Sequence, residues 1–249
     1  MKNEKNINKY RFIEMSQKQY IIGLIMIPMY IILFRLLVLA PLFNLLFGND
    51  SGISFLLGPI KTVLFFIVLI ICFRNVLVQS VKELIGSRLL YSFRWILFSF
   101  LIYIGIKVIF VIVSMILKSS LGEFFWWLSG SQATNQITLN EIRAKLPVVY
   151  YIFTVLIAPV VEELIFRYIL YHWLRKINTV VAIIVSSLFF AGLHVIGYLG
   201  EAQYIPFVYY FLDYLAPAVL ITVLYEKRRN IIICMILHSL INIVANIGT

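Results

Sequence analysis

Charged residues are scarce in this chain. Asp, Glu, Lys and Arg together make up 13% of the 249 residues. A soluble domain typically carries about 25%, so a water-soluble globular fold is excluded. Acidic residues are scarcer still, 11 against 21 basic ones, for a net charge of +10. In a soluble protein that balance would point to nucleic acid. Here the positive charges lie mostly in short segments between apolar runs, so the membrane explains them and no nucleic-acid partner is expected. Only Cys72 and Cys234 could form a disulfide, and both sit in apolar runs, so a disulfide framework is excluded. No internal repeat or low-complexity tract is visible. That argues against a transporter built from two matching halves. No His-Glu-x-x-His occurs, so the usual zinc-protease helix is absent.

What is present is apolar length. Hydrophobic residues make up 62% of the chain and the mean hydropathy is +0.98. A span needs about 20 mostly apolar residues. Seven candidates fit: 20–47, 53–73, 95–117, 147–172, 179–199, 206–225 and 231–247. The expected fold is an all-α polytopic bundle of seven spans, or eight with an interfacial or half-span helix. Residues 1–19 read as a polar cytoplasmic segment. The apolar run behind them is too long for a signal peptide, so the first span is expected to be retained. Residues 74–94 alternate charged and apolar positions and read as an amphipathic interfacial segment. Residues 118–146 form the longest polar connection, and Phe124-Phe-Trp-Trp127 within it resembles an interfacial aromatic anchor.

The basic residues orient the bundle. With the N-terminus inside, the inner segments hold Lys2, Lys5, Lys9, Arg11, Lys18, Arg74, Lys82, Arg88, Arg94, Arg175, Lys176, Lys227, Arg228 and Arg229. The outer segments hold only Lys118, Arg143 and Lys145, which is a strong positive-inside bias. Arg35, Lys61, Lys107 and Arg167 fall within spans. Lys61 and Arg35 sit near span ends, where such side chains snorkel or pair. Lys107 is deeper. Asp213 is its candidate partner, either as a structural pair or as lining of a polar cavity.

Glu162 and Glu163 are adjacent inside an apolar span, at a cost of about 2.5–3.5 kcal/mol each on insertion scales. Glu163 and Arg167 are i and i+4 and share a helix face. Glu162 lies about 100° around the helix, and its i+4 neighbour is Phe166. One reading makes all three a salt-bridge cluster that only fastens helices. The sharper reading has Glu163 and Arg167 bracing a site in which Glu162 acts on water as a general base.

Two other spans contribute polar groups. One carries Phe190-Ala-Gly-Leu-His194, with Phe190 and His194 at i and i+4 and Gly192 allowing close helix approach. The other carries His238-Ser-Leu-Ile-Asn242, with His238 and Asn242 on one face. Either histidine alone would be read as an interhelical hydrogen bond. By rise per residue, Glu162, His194 and His238 lie about 15, 22 and 10 Å from the inner ends of their spans. Boundary shifts of four residues move each by about 6 Å, so convergence near the midplane is allowed.

Together these groups suffice for peptide hydrolysis. Glu162 would take a proton from water, His194 would orient that water, and His238 with Asn242 would stabilise the oxyanion. In a metal-assisted variant, His194, His238 and Glu162 would hold zinc. The glutamate–water reading is preferred and the cofactor is left open.

At these three segments the chain resembles the CPBP family, the CAAX proteases and bacteriocin-processing enzymes also called Abi proteins. The family's Glu-Glu-x-x-x-Arg is matched by Glu162-Glu163-Leu-Ile-Phe-Arg167, its Phe-x-x-x-His by Phe190–His194, and its His-x-x-x-Asn by His238–Asn242. The resemblance covers about residues 145–247. It implies a helical bundle, usually of eight helices, around a polar cavity open to the membrane. It implies a catalytic set of Glu162, His194, His238 and Asn242, supported by Glu163, Arg167 and Phe190. It also implies endoproteolysis of a membrane-associated or lipidated peptide, by a glutamic or metallo mechanism. Many members have glycine after the arginine. Here it is Tyr168, which is expected to narrow the cavity.

The resulting expectation is an intramembrane endopeptidase of a multi-pass cell-membrane protein, with 20–144 as N-terminal helices and interfacial segments and 145–249 as catalytic core. Bacteriocin maturation or self-immunity are candidate roles. The Ile, Lys and Asn content points to a low-GC Gram-positive bacterium. The main alternative is a non-proteolytic immunity or regulatory protein that binds a toxin or sensor partner. A proton-coupled transporter using Lys107, Asp213 and the glutamates is weaker.

Overall fold

The computed structural model describes residues 12–35, 57–85, 89–122, 134–200 and 203–247. These form eight helices: α1 (Gln17–Arg35), α2 (Leu57–Ile85), α3 (Leu89–Leu121), α4 (Thr134–Lys145), α5 (Pro147–Arg175), α6 (Thr179–Gly200), α7 (Tyr204–Arg228) and α8 (Ile231–Ile247). Among the described residues there is no strand, and the fold is an all-α polytopic bundle. Five stretches, one each in α2, α3, α5, α6 and α7, are long and apolar enough to cross a bilayer, and Ile231–Asn246 of α8 is a shorter apolar helix.

The middle of the chain differs from the sequence reading. Residues 74–85 continue α2, and Leu89–Arg94 open α3, so they extend spanning helices instead of forming a separate interfacial segment. No Gly or Pro separates Phe73 from Ile85, so nothing in the sequence breaks the helix. The change of composition at Arg74 coincides instead with a kink: Phe73 has φ −113° and ψ 15°. The 118–146 connection holds α4, and Phe124–Trp127 lies outside the described residues, as do residues 36–47 of the first expected span.

α5 is the axis of the bundle. α1, α2, α6 and α8 pack around it, and α3 closes against α7 and α8. Every residue from Glu163 to Ile169 is buried, as expected of a helix enclosed on all sides. The approach of α1 is close. A Cβ on Gly23 would stand 2.6 Å from Ile169 Cγ2. Gly192 is under no such demand, since a Cβ there would meet only the Phe211 ring at 4.0 Å.

Two asparagines set the tight turns. Asn178 Oδ1 accepts from the N–H groups of Val180 and Val181, at 2.7 and 3.2 Å, and so caps α6. Asn230 Oδ1 caps α8 through Ile232 and Ile233, while its Nδ2 donates to Ser80 O of α2 at 2.8 Å. Arg229 before it takes the left-handed conformation, φ 53°, which ends α7. Asn230 is only 5% exposed, so α8 starts inside the bundle.

Candidate active site

Three helices converge on Glu162. His194 Nε2 of α6 lies 3.6 Å from Glu162 Oε2, and His238 Nε2 of α8 lies 3.7 Å from the same oxygen. The sequence count put His238 shallower than the other two. It meets them because α5 runs on to Arg175 and α8 begins below the bundle surface.

Each imidazole is oriented by its other nitrogen. His194 Nδ1 is 2.8 Å from Phe190 O, and His238 Nδ1 is 2.8 Å from Glu163 Oε1. A carbonyl and a carboxylate can only accept, so both Nδ1 atoms carry hydrogen. In the neutral rings the two Nε2 lone pairs therefore face Glu162. The spacings of 3.6 and 3.7 Å are too long for direct hydrogen bonds. Three acceptors aimed at one small volume call for a donor between them.

Glu163 is a bridge. Its Oε1 accepts from Arg167 Nη1 at 3.1 Å as well as from His238, so the brace reaches the imidazole directly. Arg167 Nη2 also donates to Ala218 O at 3.2 Å, and the guanidinium lies 4.3 Å from the Phe190 ring centroid. Both side chains are fully buried. Phe190 touches both histidine rings, at centroid distances of 4.4 Å for His194 and 5.6 Å for His238. Tyr168 faces elsewhere. Its hydroxyl donates to Ile13 O, and its ring packs on Phe73 and His172, so it fills the α1–α2 side and does not narrow the site.

Asn242, one turn beyond His238, donates Nδ2–H to Thr154 O at 2.8 Å. The backbone of α5 explains this bond. Residues Ile152–Ile157 form a π-turn, and the Ala158 N–H goes to Phe153 O. The next residue is Pro159, which has no N–H. Thr154 O is thus left without a main-chain donor, and Asn242 supplies one. A second π-turn, Leu164–Tyr171, is tied the same way by Ser186 Oγ, which donates to Phe166 O at 2.8 Å. π-turns are frequent at functional sites.

The deeper ion pair forms as expected. Lys107 Nζ and Asp213 Oδ1 are 2.5 Å apart, joining α3 to α7. Sequence reasoning missed Tyr214, whose ring stacks on His194 at 4.6 Å and 29°. The available signal was helical spacing: Tyr214 and Ala218 are i and i+4 on α7, and Ala218 O holds Arg167.

The side chains of Glu162 and His194 are 13% and 22% accessible, against 6% for His238, so the site opens on the Glu162–His194 side. Two imidazoles and a carboxylate have the donor chemistry of a zinc site. As arranged, however, no group of three His, Cys, Asp or Glu side chains among the described residues fits a metal ion.

Residues 144–244 match the family model described as type II CAAX prenyl endopeptidase Rce1-like. The chain is also 32% identical over 114 residues to the UPF0177 protein YxdF of Lactococcus lactis subsp. lactis strain IL1403. That alignment covers 45% of this chain and 58% of the relative's length. No solved structure matches. All the groups that meet at Glu162 lie within the matched residues. Through this segment the chain is similar to the CAAX-protease-like membrane proteins of the CPBP (Abi) family.

Proposed function

We propose that the protein is an intramembrane endopeptidase that hydrolyses a membrane-associated or lipidated peptide with water activated by Glu162. The observation that carries this reading is the convergence of Glu162 Oε2 with two imidazole Nε2 atoms at 3.6 and 3.7 Å. A water between them donates one hydrogen to Glu162 and the other to His194. Its oxygen lone pair is then free to attack a scissile carbonyl. As attack proceeds, Glu162 takes the proton. His238 acts as an imidazolium whose second proton comes from bulk water before attack and stays on it through the turnover. It donates from Nε2 to the developing oxyanion, and Glu163 stabilises it through Nδ1. Asn242 holds α8 to α5 at the depth this requires, and its second N–H is a further donor. The proton on Glu162 then passes to the leaving amine.

In this reading residues 145–249 are the catalytic core and the chain sits in the cell membrane with its N-terminus cytoplasmic. The matched family model and the placement of the site among apolar helices support this substrate class. Membrane peptidomes of wild type and Glu162→Gln test it. Glu162→Gln is expected to lower hydrolysis at least 100-fold, about 2.7 kcal/mol or more of barrier, with protein level and melting temperature near wild type. A Glu162→Gln protein that leaves the peptidome unchanged would sink the protease reading. A loss of folded protein that matched the loss of activity would assign Glu162 to helix fastening.

A further inference from the structure

Two aromatic rings lie against His194. Phe190 lies at a centroid distance of 4.4 Å and 32°, and Tyr214 of α7 stacks at 4.6 Å and 29°. The Nδ1 bond to Phe190 O leaves rotation about that bond as the remaining freedom of the ring. Two rings in contact, inclined at 32° and 29° to the imidazole, restrict it and keep Nε2 aimed at Glu162. Tyr214 is itself fixed by its helix. The adjacent residue, Asp213, is ion-paired to Lys107 of α3, and one turn earlier Tyr210 stacks on Tyr198 at 5.2 Å and 7°. Ser114 of α3 shares a hydrogen bond of 3.0 Å with Tyr209. α7 is thus pinned in rotation from two sides, by α3 and by α6.

We propose that Tyr214 is a positioning residue that clamps the His194 imidazole, and that the Lys107–Asp213 pair sets the rotation of the helix that presents it. The inference rests on the reading of His194 as a catalytic imidazole. The aromatic face does the positioning, so Tyr214→Phe keeps it and Tyr214→Leu loses it. A misplaced reacting group costs up to about 100-fold, so Tyr214→Leu is expected to lower kcat about tenfold or more while KM stays within about twofold. Lys107→Met should shift kcat in the same direction by a smaller factor.

The test has two readouts on the full-length protein in lipid nanodiscs. The first is the imidazole spectrum of ¹⁵N,¹³C-histidine-labelled protein, which has only three histidines to resolve. The His194 ring signals, assigned with His194→Gln, should carry a ring-current shift. The part of that shift due to Tyr214 should persist in Tyr214→Phe and be lost in Tyr214→Leu, leaving the part due to Phe190, with His172 and His238 little changed. The second is turnover of a quenched fluorescent farnesylated CAAX peptide. His194 signals unmoved in Tyr214→Leu would overturn the clamp whatever the peptide result. A moved signal with unchanged kcat would overturn the positioning role. If Glu162→Gln also cleaves the peptide normally, the protease reading fails, while the spectrum still decides the clamp.

Discussion

The two adjacent glutamates do different work because the helix points them at different neighbours. Glu162 faces the open side of the site and two imidazole nitrogens. Glu163 is fully buried and serves Arg167 and His238 at once. Replacing Glu163 with Gln removes the ion-pair partner of the buried Arg167 and leaves its charge to neutral acceptors and the Phe190 face. Breaking a buried pair in this way costs about 3–5 kcal/mol. Glu163→Gln is therefore expected to lose both thermal stability and hydrolysis, whereas Glu162→Gln loses hydrolysis alone. Melting curves of the two proteins in detergent, read beside peptide turnover, separate the cases. Equal stability of the two variants would refute the division. The Glu163–Arg167 pair was legible in the sequence because i and i+4 spacing is a local geometry. The Glu163–His238 bond was not, since it joins residues 75 positions apart and depends on how α8 is sunk into the bundle.

At the level of the element, α5 works because its irregularities are answered by its neighbours. Pro159 removes a donor, the π-turn before it shifts the register, and Asn242 closes the gap at Thr154 O. This predicts coupling between Asn242 and Pro159. Asn242→Leu should destabilise the protein by about 1–2 kcal/mol, in the range of interhelical hydrogen bonds in membranes. In a Pro159→Ala background, which restores a backbone N–H, that cost should shrink. A double-mutant cycle on melting temperature checks it, and strict additivity would contradict the account. The α1–α5 contact gives a simpler case. Gly23→Ala must displace Ile169, at about 1–3 kcal/mol for overpacking, and Ile169→Ala should relieve it. Spans and motifs were readable because apolar length and 3.6-residue spacing are properties of one helix. The fate of residues 74–94 was not. Alternating charge marks exposure, and a helix end that projects past the apolar layer looks the same as a helix lying on it. Tyr214 was hidden for a related reason, since a tyrosine in an aromatic-rich span gains meaning only once α6 is laid beside it.

For the whole molecule, the structure supplies the relative sidedness that the charge count assumes. Arg228 lies 4.4 Å from the Trp95 ring, so the start of α3 and the end of α7 share one end of the bundle. Phe12 packs under Arg175 and Arg229, at 4.4 and 4.9 Å, which brings the N-terminal segment and the end of α5 to that same end. At the other end, Arg143 of α4 donates to Asn246 O, near the close of α8. Arg175, Arg228 and Arg229, all assigned to one face, are thus gathered at one end in space, where rings seat them. Positive charge is retained on the cytoplasmic side, so that end is expected to be cytoplasmic. α3 has 33 residues, a length of about 50 Å at 1.5 Å per residue, so its far end reaches the opposite surface. Single cysteines at Lys118 and Ile177, in a Cys72→Ala, Cys234→Ala background, test this. Ile177 is 78% exposed and Lys118 is also exposed, so neither substitution disturbs packing. A membrane-impermeant maleimide added to intact cells should label position 118 and leave 177 unlabelled until the cells are lysed. The reverse pattern would invert the topology and place the Arg175–Arg229 end outside. Labelling of both positions in intact cells would mean that α3 does not span.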